Sequence, residues 1–140
     1  MMKSKKPILL VEDDQVDAMT VKRSLREINV TNHLLIAGNG EQGLQFLRNQ
    51  DQEKPCIILL DLNMPKMNGI EFLQIVKNDK RLKRIPVVVL TTSRNEQDRV
   101  ESFDLGVAGY MVKPVDYQQF VDVVKTINLY WTLSEFPDED

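Results

Sequence analysis

Cysteine is almost absent from the chain: Cys56 is the only one among 140 residues. No internal disulfide can form, and no metal site can be built on cysteine thiolates. Histidine is as scarce, with His33 alone. No apolar stretch approaches the ~20 residues that a membrane-spanning helix needs. The basic start, Met1 to Lys6, runs into only a short apolar segment before Glu12, which does not make a signal peptide. The expected compartment is a reducing cytoplasm. The formal net charge of -3 gives no electrostatic case for nucleic-acid binding. There is no Gly-x-x-x-x-Gly-Lys-Ser/Thr segment and no Gly-x-Gly-x-x-Gly, so a nucleotide cradle is missing. Internal repeats, low-complexity tracts and linkers are also missing. The expectation is one domain over 1–140, with a core of about 7–128, a last helix reaching about 133 and an acidic tail over 134–140.

What is present is ordinary in amount and unusual in arrangement. Hydrophobic residues make up 42% of the chain, enough for a core in one compact domain. The first apolar run, Ile8 to Val11, ends in three carboxylates, Glu12, Asp13 and Asp14. Like charges so close repel unless a cation, a proton or solvent relieves them. Further on, short apolar runs alternate with amphipathic stretches. Strands are predicted over 8–11, 34–37, 57–60, 87–90 and 109–112. Helices are predicted over 17–28, 41–48, 70–77, 96–105 and 116–133. Strands apolar on both faces need cover on both faces, which parallel strands with helical crossovers supply. Right-handed crossovers then give an α/β fold, a five-stranded parallel doubly wound sheet. Cys56, in the run that leads into the third strand, reads as a small core residue.

Ligands of such a sheet bind beyond the carboxyl ends of its strands, at the switch in strand order. The residues there are Glu12, Asp13 and Asp14 after the first strand and Asp61 after the third. Thr91, Thr92 and Ser93 follow the fourth, and Lys113 with Pro114 follows the fifth. If the first and third strands are neighbours, three carboxylates converge. An oxygen-only set without His or Cys suits Mg²⁺ or Mn²⁺ rather than zinc. Lys113 offers a point charge and Thr91 a hydroxyl to a phosphoryl group. A carboxylate that attacks phosphorus forms an acyl phosphate. With no nucleotide cradle, the phosphoryl group must arrive on a partner or a small donor.

The motifs Val11-Glu12-Asp13-Asp14, Leu60-Asp61-Leu62-Asn63-Met64-Pro65 with Asn68-Gly69, Leu90-Thr91-Thr92-Ser93 and Gly109-Tyr110-Met111-Val112-Lys113-Pro114 occur in order, each at a strand end. Together they resemble the response-regulator receiver domain of two-component signalling, with its flavodoxin-like (βα)5 fold. The resemblance implies that Asp61 is the phosphoacceptor. It implies that Glu12 and Asp13 hold Mg²⁺ directly or through water, with Asp61 and the backbone carbonyl of Asn63. Thr91 is then the switch hydroxyl and Tyr110 the aromatic switch. Lys113 pairs with Asp61 or its phosphoryl group, and the peptide between Lys113 and Pro114 is cis. Asp14, Gln15 or a neighbour caps the first helix.

A finer resemblance is to the small stand-alone receivers that serve cyanobacterial and bacterial phytochrome histidine kinases. It rests on the basic stretch Asp79 to Pro86 and on the long last helix ending Tyr130-Trp131. It implies a histidine kinase of phytochrome type as partner and a homodimer through the fourth helix, fifth strand and fifth helix. Tyr130 and Trp131 read as a partner or dimer surface rather than cover for the domain's own core. Light sensing would belong to the kinase. The basic run Lys77, Lys80, Arg81, Lys83 and Arg84 reads as a solvated face. A phosphatase with an Asp nucleophile would want a second Asp two positions on, where Asn63 stands, so turnover is not expected. A binding module without phosphotransfer is disfavoured by the intact Glu12, Asp13, Asp61, Thr91 and Lys113 set. A phosphate relay or sink for another kinase is the remaining alternative.

Overall fold

The computed structural model describes residues 5–133, and the acidic tail lies outside them. Strands and helices alternate: β1 (Ile8–Val11), α1 (Gln15–Glu27), β2 (Leu34–Ala37), α2 (Gly40–Arg48), β3 (Ile57–Leu60), α3 (Gly69–Lys77), β4 (Val87–Thr91), α4 (Glu96–Asp104), β5 (Gly109–Val112) and α5 (Tyr117–Leu133). All five strands are parallel, in the order β2-β1-β3-β4-β5. The strand order reverses at β1, which pairs with both β2 and β3. That reversal opens a crevice above the carboxyl ends of β1 and β3.

The period-2 geometry of the strands sorts their side chains into two cores. Leu9, Val11, Ile58, Leu60, Val87 and Val89 face one way, against Leu44 and Leu47 of α2 and Phe72, Leu73 and Val76 of α3. Ile8, Leu10, Ile57, Leu59, Val88 and Leu90 face the other, against Val21 and Leu25 of α1 and Phe120, Val124 and Ile127 of α5. Each fully buried aliphatic side chain contributes roughly 1.5–3 kcal/mol. β5 is an edge strand, as is β2 on the other side, and all four β5 residues are half-buried. α4 packs least: Ser102 is its only buried residue, while Val100 and Phe103 stay exposed.

Helix ends follow local chemistry. Asp14 caps α1 through its side chain, which accepts from the Asp17 N–H at 3.0 Å. Asn68 and Glu71 form a capping box at α3. At the end of α1 the Asn29 N–H bonds Arg26 O and the Val30 N–H bonds Leu25 O, with Asn29 at φ 63°. The basic turn before β4 is held down by Leu82 and Ile85, both buried. Its polar groups turn outward, and Lys77 Nζ donates to the Lys83 carbonyl at 3.1 Å.

Two expectations change here. Trp131 is 2% exposed and completes the α1–α5 core. It follows Phe120, Val124 and Ile127 on one helical face, so burying its ring removes a large apolar area from water. It is not a partner surface. Tyr130, one position before it, is exposed. Cys56 is half-buried at the rim of the same core, its Sγ 3.7 Å from the Lys6 carbonyl, rather than inside it.

Candidate functional site

Register brings the site together. Val11 pairs with Leu60, and the Asp61 N–H donates to the Val11 carbonyl at 3.0 Å. Glu12 and Asp61 therefore leave adjacent strands side by side. The Glu12 N–H bonds the Ala37 carbonyl at 2.9 Å, which fixes Glu12 from the β2 side. On the other side, the Lys113 N–H donates to the Thr91 carbonyl at 2.7 Å, so β4 and β5 deliver Thr91 and Lys113 to the same edge.

Carboxylate oxygens of Glu12, Asp13 and Asp61 lie within 4.8 Å of one another. Glu12 and Asp61 are buried and Asp13 is exposed. Two ionised carboxylates at 4.8 Å repel by about 3 kcal/mol at an effective dielectric near 20. Lys113 offsets part of this. Its side chain is 4% exposed, hydrogen-bonds Glu12, reaches Asp17 at 2.9 Å and stands 3.8 Å from Asp61. One ammonium thus faces three carboxylates, with Asp13 a fourth in the same cluster. Burial, more than the neighbouring charge, pushes the Glu12 carboxyl up to about 8. The Lys113 hydrogen bond pulls the other way, and the Asp61 charge adds to the rise. Burial would lower the Lys113 pKa, but its bonds to Glu12 and Asp17 and the surrounding negative charge outweigh that and raise it. An all-oxygen acidic cluster, open to solvent on the Asp13 side, fits a hard divalent cation that keeps several waters.

The loop that carries Asp61 into α3 is anchored by buried Leu62 and Met64. It closes through the Gly69 N–H on the Leu62 carbonyl at 3.1 Å. A Cβ on Gly69 would sit 2.6 Å from the Asp61 carbonyl oxygen and from Leu62 Cα, so the approach needs glycine. The Asn63 N–H points to Asp61 Oδ1 at 3.4 Å, and its side chain reaches Thr92 Oγ1 at 3.4 Å, linking the loops after β3 and β4. Thr91 is fully buried and its Oγ1 accepts from the Ser93 N–H at 3.3 Å. Tyr110 is half-buried, and its hydroxyl donates to the Ser93 carbonyl at 3.0 Å. The Arg99 guanidinium lies 5.7 Å from the Tyr110 ring centroid.

Glu12, Asp13, Asp61 and Lys113 are therefore brought together, with Thr91 and Asn63 at the rim and Tyr110 one loop away. No cis peptide bond occurs among the described residues, so the Lys113–Pro114 bond is trans, against the expectation. Trans is the lower-energy isomer of an X–Pro bond by about 0.5–1 kcal/mol. Asp17, which sequence reasoning passed over, contacts Lys113 directly. It lies 96 positions away along the chain, and no local pattern signals the contact.

Comparisons with known proteins agree with this geometry. The model of the response regulator receiver domain matches residues 8–125. The chain is 40% identical over 130 residues to response regulator Rcp1 of Synechocystis sp., covering 90% of this chain and 88% of that protein. The Mn(2+)-bound form of Rcp1 superposes with a TM-score of 0.87 at 38% identity, covering 95% and 99% of the two chains. The phosphorylated cyanobacterial phytochrome response regulator RcpA superposes with a TM-score of 0.90 at 37% identity, covering 96% and 100%. Receiver domains are signalling proteins rather than turnover enzymes. With its sheet order, its strand-end acids and these matches, the chain belongs to the response regulator receiver family and is related to the phytochrome response regulators Rcp1 and RcpA.

Proposed function

We propose that the protein accepts a phosphoryl group on Asp61 from a histidine kinase, of phytochrome type, and signals through a change in protein–protein contact. The observation that carries this is the clustering of Glu12, Asp13 and Asp61 oxygens within 4.8 Å, with Lys113 Nζ 3.8 Å from Asp61. Glu12, Asp13, Asp61 and the Asn63 carbonyl would hold Mg²⁺ or Mn²⁺. When bound, the cation neutralises charge on the phosphoryl oxygens. An Asp61 carboxylate oxygen forms the new O–P bond as the P–N bond to the donor imidazole breaks. The electron pair leaves with that nitrogen, which takes a proton from solvent. Lys113 and Thr91 then hold phosphoryl oxygens.

The acyl phosphate adds about -1.5 to -2 charge at the sheet edge. Moving Thr91 loosens the Ser93 loop that it and Tyr110 both hold, which carries the change to β5 and α4. A shift from 1:99 to 99:1 takes about 5.5 kcal/mol. Two or three charge-assisted hydrogen bonds at about 1.5–3 kcal/mol each are of that size. The face of α4, β5 and α5 is the homodimer or partner surface, supported by the exposure of Val100, Phe103, Leu129 and Tyr130. Kinase and phytochrome partnership is supported by the likeness to RcpA and Rcp1.

The test is incubation with acetyl phosphate, with and without Mg²⁺, read by intact mass and sedimentation. One Mg²⁺-dependent adduct is expected in the wild type and none in a folded Asp61→Asn variant. An equal adduct on a carboxylate of Asp61→Asn removes Asp61 as acceptor.

A further inference from the structure

We propose that Asp17 is a positioning residue that holds the Lys113 ammonium at a standoff from Asp61, keeping the acceptor oxygen free for phosphoryl transfer. The inference rests on the reading of Asp61 as phosphoacceptor. Lys113 Nζ is 2.9 Å from Asp17 Oδ2 and 3.8 Å from Asp61 Oδ2. The first distance is a charge-assisted hydrogen bond and the second is beyond one. A lysine has three N–H donors. Glu12 and Asp17 take two of them, and the third remains for the acceptor side.

The restraint comes from two rigid elements. Glu12 is fixed at the end of β1 by backbone hydrogen bonding to Ala37. Asp17 sits in the first turn of α1, its own N–H bound to the Asp14 cap. An acid in a first helical turn gains from the helix dipole without any partner. That accounts for the residue type but not for its side chain reaching the switch lysine. A phosphoryl group on Asp61 adds oxygens beyond Oδ2, into the space between Asp61 and Lys113. If Asp17 is removed, the nearest unsatisfied carboxylate for the ammonium is Asp61. Lys113 then closes on the nucleophile, masks its lone pairs and places a positive charge nearer the cation ligands.

Asp17→Asn, Asp17→Ala and Asp17→Glu are compared with the wild type for labelling by acetyl phosphate at saturating Mg²⁺, for Mg²⁺ affinity by calorimetry and for thermal unfolding. The expected result is labelling about three- to tenfold slower in Asp17→Ala, less in Asp17→Asn, and largely restored in Asp17→Glu, at near-constant stability. Asp14→Ser keeps the capping oxygen and removes a neighbouring charge, so it measures the general loss of negative potential. The same slowing in Asp14→Ser overturns the inference. In a Lys113→Met background, Asp17→Ala is expected to change Mg²⁺ affinity no more than Asp14→Ser does, and a larger change there also overturns it. Unchanged labelling in Asp17→Ala beside a labelled wild type removes the standoff role alone. A wild type that takes no label on Asp61 removes the parent reading and the inference with it.

Discussion

Gly69→Ala is a one-methyl perturbation whose sign separates two accounts of the loop after Asp61. Gly69 opens α3, and its φ is not in the left-handed region. On helix propensity alone, alanine is better there by as much as about 1 kcal/mol, aided by a less floppy unfolded chain. Packing argues the reverse. The added Cβ would meet Asp61 O and Leu62 Cα at 2.6 Å, both backbone atoms that no rotamer change can move aside. The start of α3 and the Asp61 loop must then separate by on the order of half an ångström or more. Overpacking of this kind costs about 1–3 kcal/mol. Net destabilisation of about 0–2 kcal/mol is expected after the propensity gain, read as a lower urea midpoint at unchanged slope. The larger effect belongs to the site. A misplacement approaching 1 Å costs on the order of 100-fold in a positioned reaction. Acetyl phosphate labelling of Gly69→Ala is therefore expected to slow at least tenfold, on the order of half that penalty in free energy. A variant more stable than wild type that labels at the wild-type rate refutes the close-approach argument.

Trp131→Ala should cost about 3–5 kcal/mol as a core truncation and lower the urea midpoint, whatever the oligomeric state. Trp131→Phe should cost far less, because Nε1 makes no hydrogen bond to lose, and equal losses in the two variants would contradict this packing. Burial lowers the Lys77 pKa from 10.5, so the folded state binds its proton less tightly than the unfolded chain. That penalty is full at pH 7 and fades as pH rises through the folded pKa toward 10.5. Lys77→Met should stabilise at pH 7 in urea titrations, with a smaller gain at pH 10, and a gain independent of pH would rule out desolvation as the cause.

The limits of what the residues disclose follow from range. All five predicted strands start where the structure starts them; for β1, β3 and β4 a continuous apolar run flanked by charge or proline has one reading in a doubly wound sheet. Asp13, Asp61 and Lys113 were legible as a group because the fold rule names the strand ends as the place to look. Trp131 was misread for want of extending a visible pattern: the steps from Phe120 through Val124 and Ile127 already put it on the buried face. Asp17 is the opposite case. Its partner comes from the far end of the chain, and an acid in a first helical turn has a sufficient local explanation. Gly69 belongs with Asp17, since a turn glycine and a glycine needed for backbone approach look alike until the neighbouring chain is seen.

The Lys113–Glu12 pair spans 101 positions. At about 5–20 residues per second, a ribosome takes about 5–20 s to travel from one to the other. Throughout that interval the nascent chain carries its strand-end acids without the ammonium that holds them. β1, β2 and β3 can pair meanwhile, but the edge formed by β4 and β5 cannot be complete. The acceptor therefore comes into being with the final strand, and a chain halted before residue 113 has the acids of a receiver without its switch.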